Sequence, residues 1–413
     1  MRKKQYKIFA AIHLGSEMIS MQIVQYRNLN NMKVLEECNR RVRLGEETFK
    51  NKIIPFSMVN EICELLVGFK RLMTEYEVEE YSMQATTAVR EALNRVFLLD
   101  QIYIRTGLKV TVIDLPEEIY TKYASIRRTM KLDGLTGVGE SMLMMDISSG
   151  GLGITFVKDN IIRYQQNLNI GVIRVKESFN RNQRSSMKFN QALAEYLSST
   201  MGAVRDALKN EQIHYLVLTG AESELLLQMM GVEFKAGVIR IKTEQFMQLF
   251  KTVHELNLPQ IIKVFKINED VAELVVPTIL LYEQLLALVP VQEIILTDDR
   301  FIDGICLLHI GPKTSKDYAD ELEQEQLSLL YSIGERYQYD EAHSRQVAKL
   351  ALAMFDKLGK HHGLDSHSRI LLQATALLHD IGKYVSLRSH SLYSYMLIMS
   401  VSYTHLRAHE TGA

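Results

Sequence analysis

Two stretches of the chain share one pattern of apolar and polar positions. Residues 8–12 form an apolar run, broken by His13-Leu14-Gly15-Ser16-Glu17 and resumed over 18–24. Residues 143–145 are followed by Asp146-Ile147-Ser148-Ser149-Gly150-Gly151 and then by an apolar run over 152–157. Each reads as strand, tight Gly/Ser turn, strand, and so predicts a β-hairpin. A turn of small residues presents backbone N–H groups and hydroxyls without bulky side chains, which suits it to cradle phosphate. The repetition predicts a duplicated α/β fold with a phosphate held between its halves.

Between and after these hairpins the periodicity changes. Val59, Ile62, Leu65, Leu66, Phe69 and Met73 recur at helical spacing and mark one buried face. Strands are predicted over 81–87, 109–115 and 215–218, and helices over 90–105 and 117–130, the second leading across to the other half. Residues 132–139 are a Gly-rich turn before the second hairpin. The most apolar stretch, 271–296, carries Glu273, Pro277, Glu283 and Pro290, so it does not read as a membrane span. Residues 311–326 are polar and read as a linker or a capped helix start; from Leu327 onward the pattern is helical.

Composition narrows the class. A chain of 413 residues is long enough for two or three domains with ample core. The formal net charge of −1 argues against general attraction to nucleic acid, although Arg40-Arg41-Val42-Arg43 and Arg127-Arg128 are local basic patches. Cys38, Cys63 and Cys306 have no ligand-like spacing, which fits a reducing compartment. Met1-Arg2-Lys3-Lys4 is not followed by a signal-type apolar core, so a soluble cytoplasmic protein without membrane or nucleic-acid partners is expected. Residues 401–413 look like a translated sequencing adapter. The natural chain is therefore expected to continue beyond Ser400, and His405 and His409 receive no function.

A phosphate chain held between the hairpins needs a clamp for its oxygens and a cation beside them. Gly15, Ser16, Ser148, Ser149, Gly150 and Gly151 are the candidate clamp. Arg90 has the forked guanidinium suited to a bidentate phosphate contact. Asp146, at a strand end, is the candidate Mg²⁺ ligand. Each also has a plain structural reading: Gly/Ser turns close hairpins, Arg90 can pair on its own helix, and Glu117 and Glu118 suit the first turn of a helix.

The order of these segments resembles the exopolyphosphatase/guanosine pentaphosphate phosphatase (Ppx/GppA) family of the actin–hexokinase–Hsp70 superfamily. Ala10-Ala11-Ile12-His13-Leu14-Gly15-Ser16 is similar to its first phosphate loop, and Asp146 to Gly151 to its second. Ala85-Thr86-Thr87-Ala88-Val89-Arg90-Glu91-Ala92-Leu93-Asn94 resembles its arginine-bearing strand-to-helix segment. Pro116-Glu117-Glu118 sits where the family has its catalytic glutamate.

The resemblance implies two actin/hexokinase-like (ribonuclease H-like) α/β domains, 1–125 and 126–312, flanking a phosphate cleft. It implies an all-α HD-type domain over 313–400, with 401–413 a non-native tail. It makes Glu118 the general base, with Glu117 the alternative, and Mg²⁺ or Mn²⁺ the cofactor. It also exposes departures: His13 and Gly153 stand where the family has an aspartate and a glutamate, and Ser148-Ser149-Gly150-Gly151 replaces a Gly-Gly-Gly-Ser turn. In the helical segment His343, His379 and Asp380 match three HD-type metal ligands, with His390 an additional candidate. The implied activity is metal-dependent release of terminal phosphate from polyphosphate or guanosine pentaphosphate. The alternative is a catalytically weak or inactive sensor of polyphosphate or of guanosine tetraphosphate. A homodimer is compatible with either.

Overall fold

The computed structural model describes residues 6–137, 139–148, 150–178, 189–233 and 237–402. Its first sheet contains β1 (Lys7–Leu14), β2 (Met18–Tyr26), β3 (Met32–Arg41), β4 (Glu80–Ala85) and β5 (Thr111–Val112), in the order β3-β2-β1-β4-β5. The first three strands form an antiparallel meander, and β4 and β5 add in parallel beside β1.

The second sheet repeats this plan. β6 (Ser141–Ile147), β7 (Leu152–Lys158) and β8 (Ile161–Leu168) form the meander, and β9 (Tyr215–Thr219) lies parallel to β6. β11 (Glu293–Thr297) follows in parallel, with β10 (Val238–Lys242) as an added antiparallel edge. The two predicted hairpins are therefore the first two strands of a duplicated unit.

Strand β1 reads as a continuous apolar run because both its faces are covered. Ala10, Ile12 and Leu14 cluster with Ile62, Leu66 and Phe69, whereas Phe9 and Ala11 meet Ile302, Ile305 and Ile310. The helices of the first half are α1 (Leu44–Asn51), α2 (Phe56–Glu75), α3 (Thr87–Glu91), α4 (Arg95–Thr106) and α5 (Leu115–Leu132). Helix α2 buries Val59, Ile62, Cys63, Leu66, Phe69 and Met73; Leu65, expected on that face, is only half-buried.

Three expectations change. The helix expected over 90–105 is two helices. The chain turns extended at Ala92, and the Asn94 amide grips the Ile54 backbone through N–H···Oδ1 at 3.0 Å and Nδ2–H···O at 2.8 Å. The strand expected over 109–115 shrinks to two residues because Asp114 caps α5, its Oδ1 accepting from the Glu117 N–H at 3.0 Å, with Pro116 in the first turn. Residues 301–312, expected with the second domain, instead cover the first sheet as part of the helix Phe301–Thr314.

Helix α5 makes the reverse crossing. Tyr123, Ile126 and Met130 pack on Met142, Met144 and Val157 of the second sheet, and the division expected after residue 125 falls inside this unbroken helix. The two helices cross at Gly304, where an added Cβ would overlap the Thr121 carbonyl.

The helix Glu269–Leu288 is long and apolar enough to cross a membrane, yet Val275, Ile279, Leu281, Tyr282 and Leu285 lie in the core of the second half. The polar stretch 311–326 contains the end of one helix and the start of the next, Lys316–Arg336, capped by Ser315 Oγ accepting from the Tyr318 N–H at 3.2 Å. Helices Glu341–His362, Ser366–Leu378 and His390–Ser402 complete an all-α segment around Leu330, Ala348, Ala374, Leu377, Leu378 and Ile381. It is tied to α5 through Glu325. That buried carboxylate takes the Arg127 Nε–H at 2.8 Å and the Tyr120 and Tyr123 hydroxyls at 3.0 and 3.3 Å. Most of the expected tail, including His405 and His409, lies outside the described residues.

Candidate active site

The β1–β2 turn is tight for a local reason. An added Cβ at Gly15 would lie 2.8 Å from both His13 Cε1 and the Met18 carbonyl. The Gly15 N–H donates to Met18 O at 3.0 Å, and Ser16 O accepts from the Gly45 N–H at 2.8 Å, fixing the turn to α1. In the second turn the Ser148 N–H donates to Gly151 O at 2.9 Å, and the Gly151 N–H donates to Ser148 Oγ at 3.2 Å. These N–H groups of Gly15, Ser148 and Gly151 are thus committed to closing the hairpins. Ser149 lies outside the described residues.

Gly150 brings the halves together. A Cβ there would sit 2.9 Å from both Phe49 Cζ and Thr87 Cγ2. Arg174, on helix α6 (Val172–Ser178), donates through Nε to Gly150 O at 2.8 Å and pairs with Glu91 at 2.5 Å. Its guanidinium stacks over Phe49 at 4.5 Å. The second turn is therefore pinned against α1 and α3 of the first half.

Glu118 enters the space between the turns from the first turn of α5. Arg90 Nη1 and Nη2 both donate to Glu118 Oε2 at 3.0 Å, and Thr87 Oγ1 donates to the same oxygen at 3.1 Å. Arg90 also donates to the Ile113 carbonyl and to Thr87 Oγ1, each at 2.8 Å. Arg90 was expected to hold phosphate. Its two terminal nitrogens instead orient Glu118, because a carboxylate within reach on the same protein fits the guanidinium fork. Burial raises the Glu118 carboxyl above its usual range; Arg90 and Thr87 pull the other way, and Asp146 adds to the rise. Neighbouring Glu117 is pushed up to about 7 by burial and by the Asp114 carboxylate.

Asp146, at the end of β6, accepts from Thr219 Oγ1 at 2.6 Å. The same Oδ1 lies 3.7 Å from the Nζ of Lys122, a buried lysine one helical turn beyond Glu118. His13 Nε2 lies 3.2 Å from Thr86 Oγ1, and its ring packs against Phe301 with centroids 4.4 Å apart. Burial and the Lys122 ammonium depress the His13 imidazole to about 3, so it is neutral at physiological pH.

These residues differ from the Mg²⁺ site that the resemblance implies. Mg²⁺ takes one or two carboxylates with substrate phosphates and waters in near-octahedral geometry, and the cleft offers it only the second oxygens of Asp146 and Glu118. Here Asp146 Oδ1 faces an ammonium, Glu118 Oε2 carries two guanidinium N–H groups, and His13 offers a nitrogen. At Gly153 there is no carboxylate: a Cβ would meet Ile119 at 3.2 Å, so apolar packing fills the position.

A second cluster lies in the helical segment. His343 Nε2 and His379 Nε2 are 3.3 Å apart, and Asp380 Oδ2 lies 3.5 and 3.4 Å from them. A tetrahedral metal with bonds of about 2.0–2.1 Å has ligand–ligand edges of roughly 3.3–3.4 Å, so this spacing suits one borderline transition-metal ion. The His379 Nδ1 is paired with Ala376 O at 2.8 Å, which leaves Nε2 toward the cluster. His390 Nε2 reaches Asp380 Oδ1 at 3.3 Å, and the Lys383 ammonium contacts Oδ2, the oxygen that faces the two histidines, so an incoming ion has to displace it.

Sequence reasoning missed Lys122, Thr87, Thr219 and Arg174. Lys122 had one readable signal, its place four residues after Glu118 on a helix, which puts both on one face. Arg174 had none, since its partners Glu91 and Phe49 are remote in sequence.

The Ppx/GppA phosphatase family profile matches residues 22–307, and that of Ppx/GppA phosphatase domain III matches 328–406. The chain is 22% identical to a guanosine-5'-triphosphate,3'-diphosphate pyrophosphatase of Vibrio atlanticus over 418 aligned residues, covering 98% of this chain and 79% of the relative. The fold is similar to the crystal structure of the Aquifex aeolicus Ppx/GppA family member, with a TM-score of 0.61 at 19% identity over 74% of this chain and 98% of that one. An exopolyphosphatase structure from Cytophaga hutchinsonii gives a TM-score of 0.64 at 18% identity, again over 74% of this chain and 98% of that one. Both structures have actin-like two-domain α/β folds. With a family profile spanning most of its length, and the duplicated sheets and facing hairpins already described, this chain belongs to the Ppx/GppA phosphatase family.

Proposed function

We propose that the chain is a phosphoanhydride hydrolase that removes the terminal phosphate of inorganic polyphosphate or of guanosine pentaphosphate. The observation that carries this reading is Glu118, held by Arg90 and Thr87 from the first half and near enough to Asp146 of the second for that carboxylate to raise its pKa. In the reaction, water attacks the terminal phosphorus, the bridging P–O bond breaks, and the shortened chain leaves with the bond's electron pair. The water proton passes to Glu118 Oε1, the oxygen that Arg90 does not engage. Family membership supports this reading, as do the names of the Vibrio and Cytophaga relatives. No step is routed through a divalent metal, because the nearest oxygens of Asp146 and Glu118 already face cations.

Phosphate release from each substrate tests the reading. Glu118→Gln should lower turnover roughly 10²–10⁴-fold while ligand binding survives. Normal turnover in Glu118→Gln together with loss in Glu117→Gln would move the base by one residue, and normal turnover in both would overturn the assignment. A second reading, a sensor that binds polyphosphate or guanosine tetraphosphate without cleaving it, is favoured by one observation: every carboxylate implied for the metal is replaced or paired. Tight binding with no phosphate release from either substrate would select it.

A further inference from the structure

We infer that Lys122 is the resident cation of the phosphate cleft, holding a polyphosphate chain where the resemblance calls for a divalent metal, so that anion binding here is independent of metal. The inference rests on reading the cleft as a phosphate site and deepens that reading.

A lysine is seldom buried unless its charge is matched. Lys122 is 8% exposed, and Asp146 Oδ1 is 3.7 Å from its Nζ. That distance is too long for a direct N–H···O bond, whereas Thr219 Oγ1 donates to the same oxygen at 2.6 Å. Lys122 is thus placed by charge beside Asp146 and is not tied by a short bond to that oxygen. An ammonium with three rotatable donors in such a position is suited to phosphate oxygens as a point charge.

The surroundings agree in sign. Glu118 is matched by Arg90, whereas Lys122 faces both Asp146 and Asp299. His13 and Gly153, where the resemblance implies further carboxylates, carry no negative charge. Asp299 is a third carboxylate in the electrostatic reach of Lys122. Its Oδ1 accepts from Ser125 Oγ at 2.5 Å and Thr129 Oγ1 at 2.9 Å, while its buried Oδ2 has no hydrogen-bond partner among the described residues. A divalent ion would meet the ammonium's repulsion with few compensating oxygens, whereas a phosphate chain is attracted to it. Glu118 and Lys122 lie one turn apart on α5, so the water-activating group and the cation move as one rigid element.

The test is calorimetric binding of inorganic tripolyphosphate in EDTA and in Mg²⁺, with phosphate release measured in parallel. The wild type is expected to bind in EDTA with an affinity within about threefold of that in Mg²⁺. Lys122→Met, similar in length and neutral, should weaken binding in EDTA by at least about tenfold, whereas Lys122→Arg should retain most of it. The pair Lys122→Met with His13→Asp should bind in Mg²⁺ and not in EDTA, because an oxygen ligand has replaced the ammonium. Thermal melts of all variants separate lost binding from lost folding. Binding by the wild type only in Mg²⁺, or unchanged EDTA binding in folded Lys122→Met, overturns the inference. Metal-independent binding that depends on Lys122, with no phosphate release, sustains it while removing the hydrolase reading. Absence of tripolyphosphate binding in every condition removes both.

Discussion

Replacing Arg90 by Met should leave Glu118 as a buried carboxylate with no cation. In the structure both terminal nitrogens of Arg90 lie 3.0 Å from Glu118 Oε2, and the side chains are 19% and 18% exposed. Removing one member of a buried pair typically costs about 3–5 kcal/mol. Exposure of nearly a fifth on each side points to the lower end.

The carboxyl can escape part of that cost by taking a proton. Loss of the guanidinium therefore raises the Glu118 pKa further above its usual range. The direction follows from the causes: burial already raises Glu118, and Arg90 is the largest influence holding it down. The acid limb of the rate–pH profile should therefore move upward in Arg90→Met. Stability must follow the same sign. A carboxyl raised in the folded state loses stability as pH climbs from its unfolded value, about 4.3, through its folded value. Arg90→Met should thus lower the melting temperature more at pH 8 than at pH 5. Phosphate release across pH and melts at both values provide the assay. An unmoved acid limb, with equal destabilisation at pH 5 and pH 8, would refute the argument that Arg90 acts by holding Glu118.

Three further outcomes are expected. Because the His13 imidazole is depressed to about 3, it stays neutral from pH 5 to 8; His13→Gln should leave the pH dependence of polyphosphate binding in that window unchanged, as titration calorimetry at several pH values would show. Ending the chain at Thr314 removes Glu325 from Arg127, Tyr120 and Tyr123, and Leu329 from the α5 interface. The shortened protein should melt well below the full chain, and Glu325→Ala alone should reproduce a loss of about 3–5 kcal/mol in denaturant unfolding. Co²⁺ added to the full chain should give the visible absorption of one tetrahedral site at His343, His379 and Asp380, and His379→Ala should abolish it.

The hairpins were legible in the sequence because a doubly covered strand shows as an unbroken apolar run and a tight turn demands small residues. The first covering of that strand was legible too, since Val59, Ile62 and Phe69 announce a buried helix face. What covers its other face was not: Ile302, Ile305 and Ile310 are remote in sequence, and nothing in the chain says which sheet they cover. The same limit governed the site. Arg90 and Glu118 were both recognisable as candidates, but a guanidinium suited to phosphate is equally suited to a carboxylate, and only their approach in space decides between them. Lys122 hid for the opposite reason, since a lysine on a helix ordinarily reads as its solvent face.

The helix Phe301–Thr314 has a consequence for the order in which this protein is made. It closes one face of a sheet whose first strand begins at Lys7. As the chain leaves the ribosome, Phe9, Ala11, Val24 and Tyr26 therefore remain without their native covering while the whole second half is synthesised. Domains otherwise tend to fold as units, N-terminal first. Here the core built on Ile62, Leu66 and Phe69 can form first, but the opposite face of the same sheet is closed only when Phe301–Thr314 arrives.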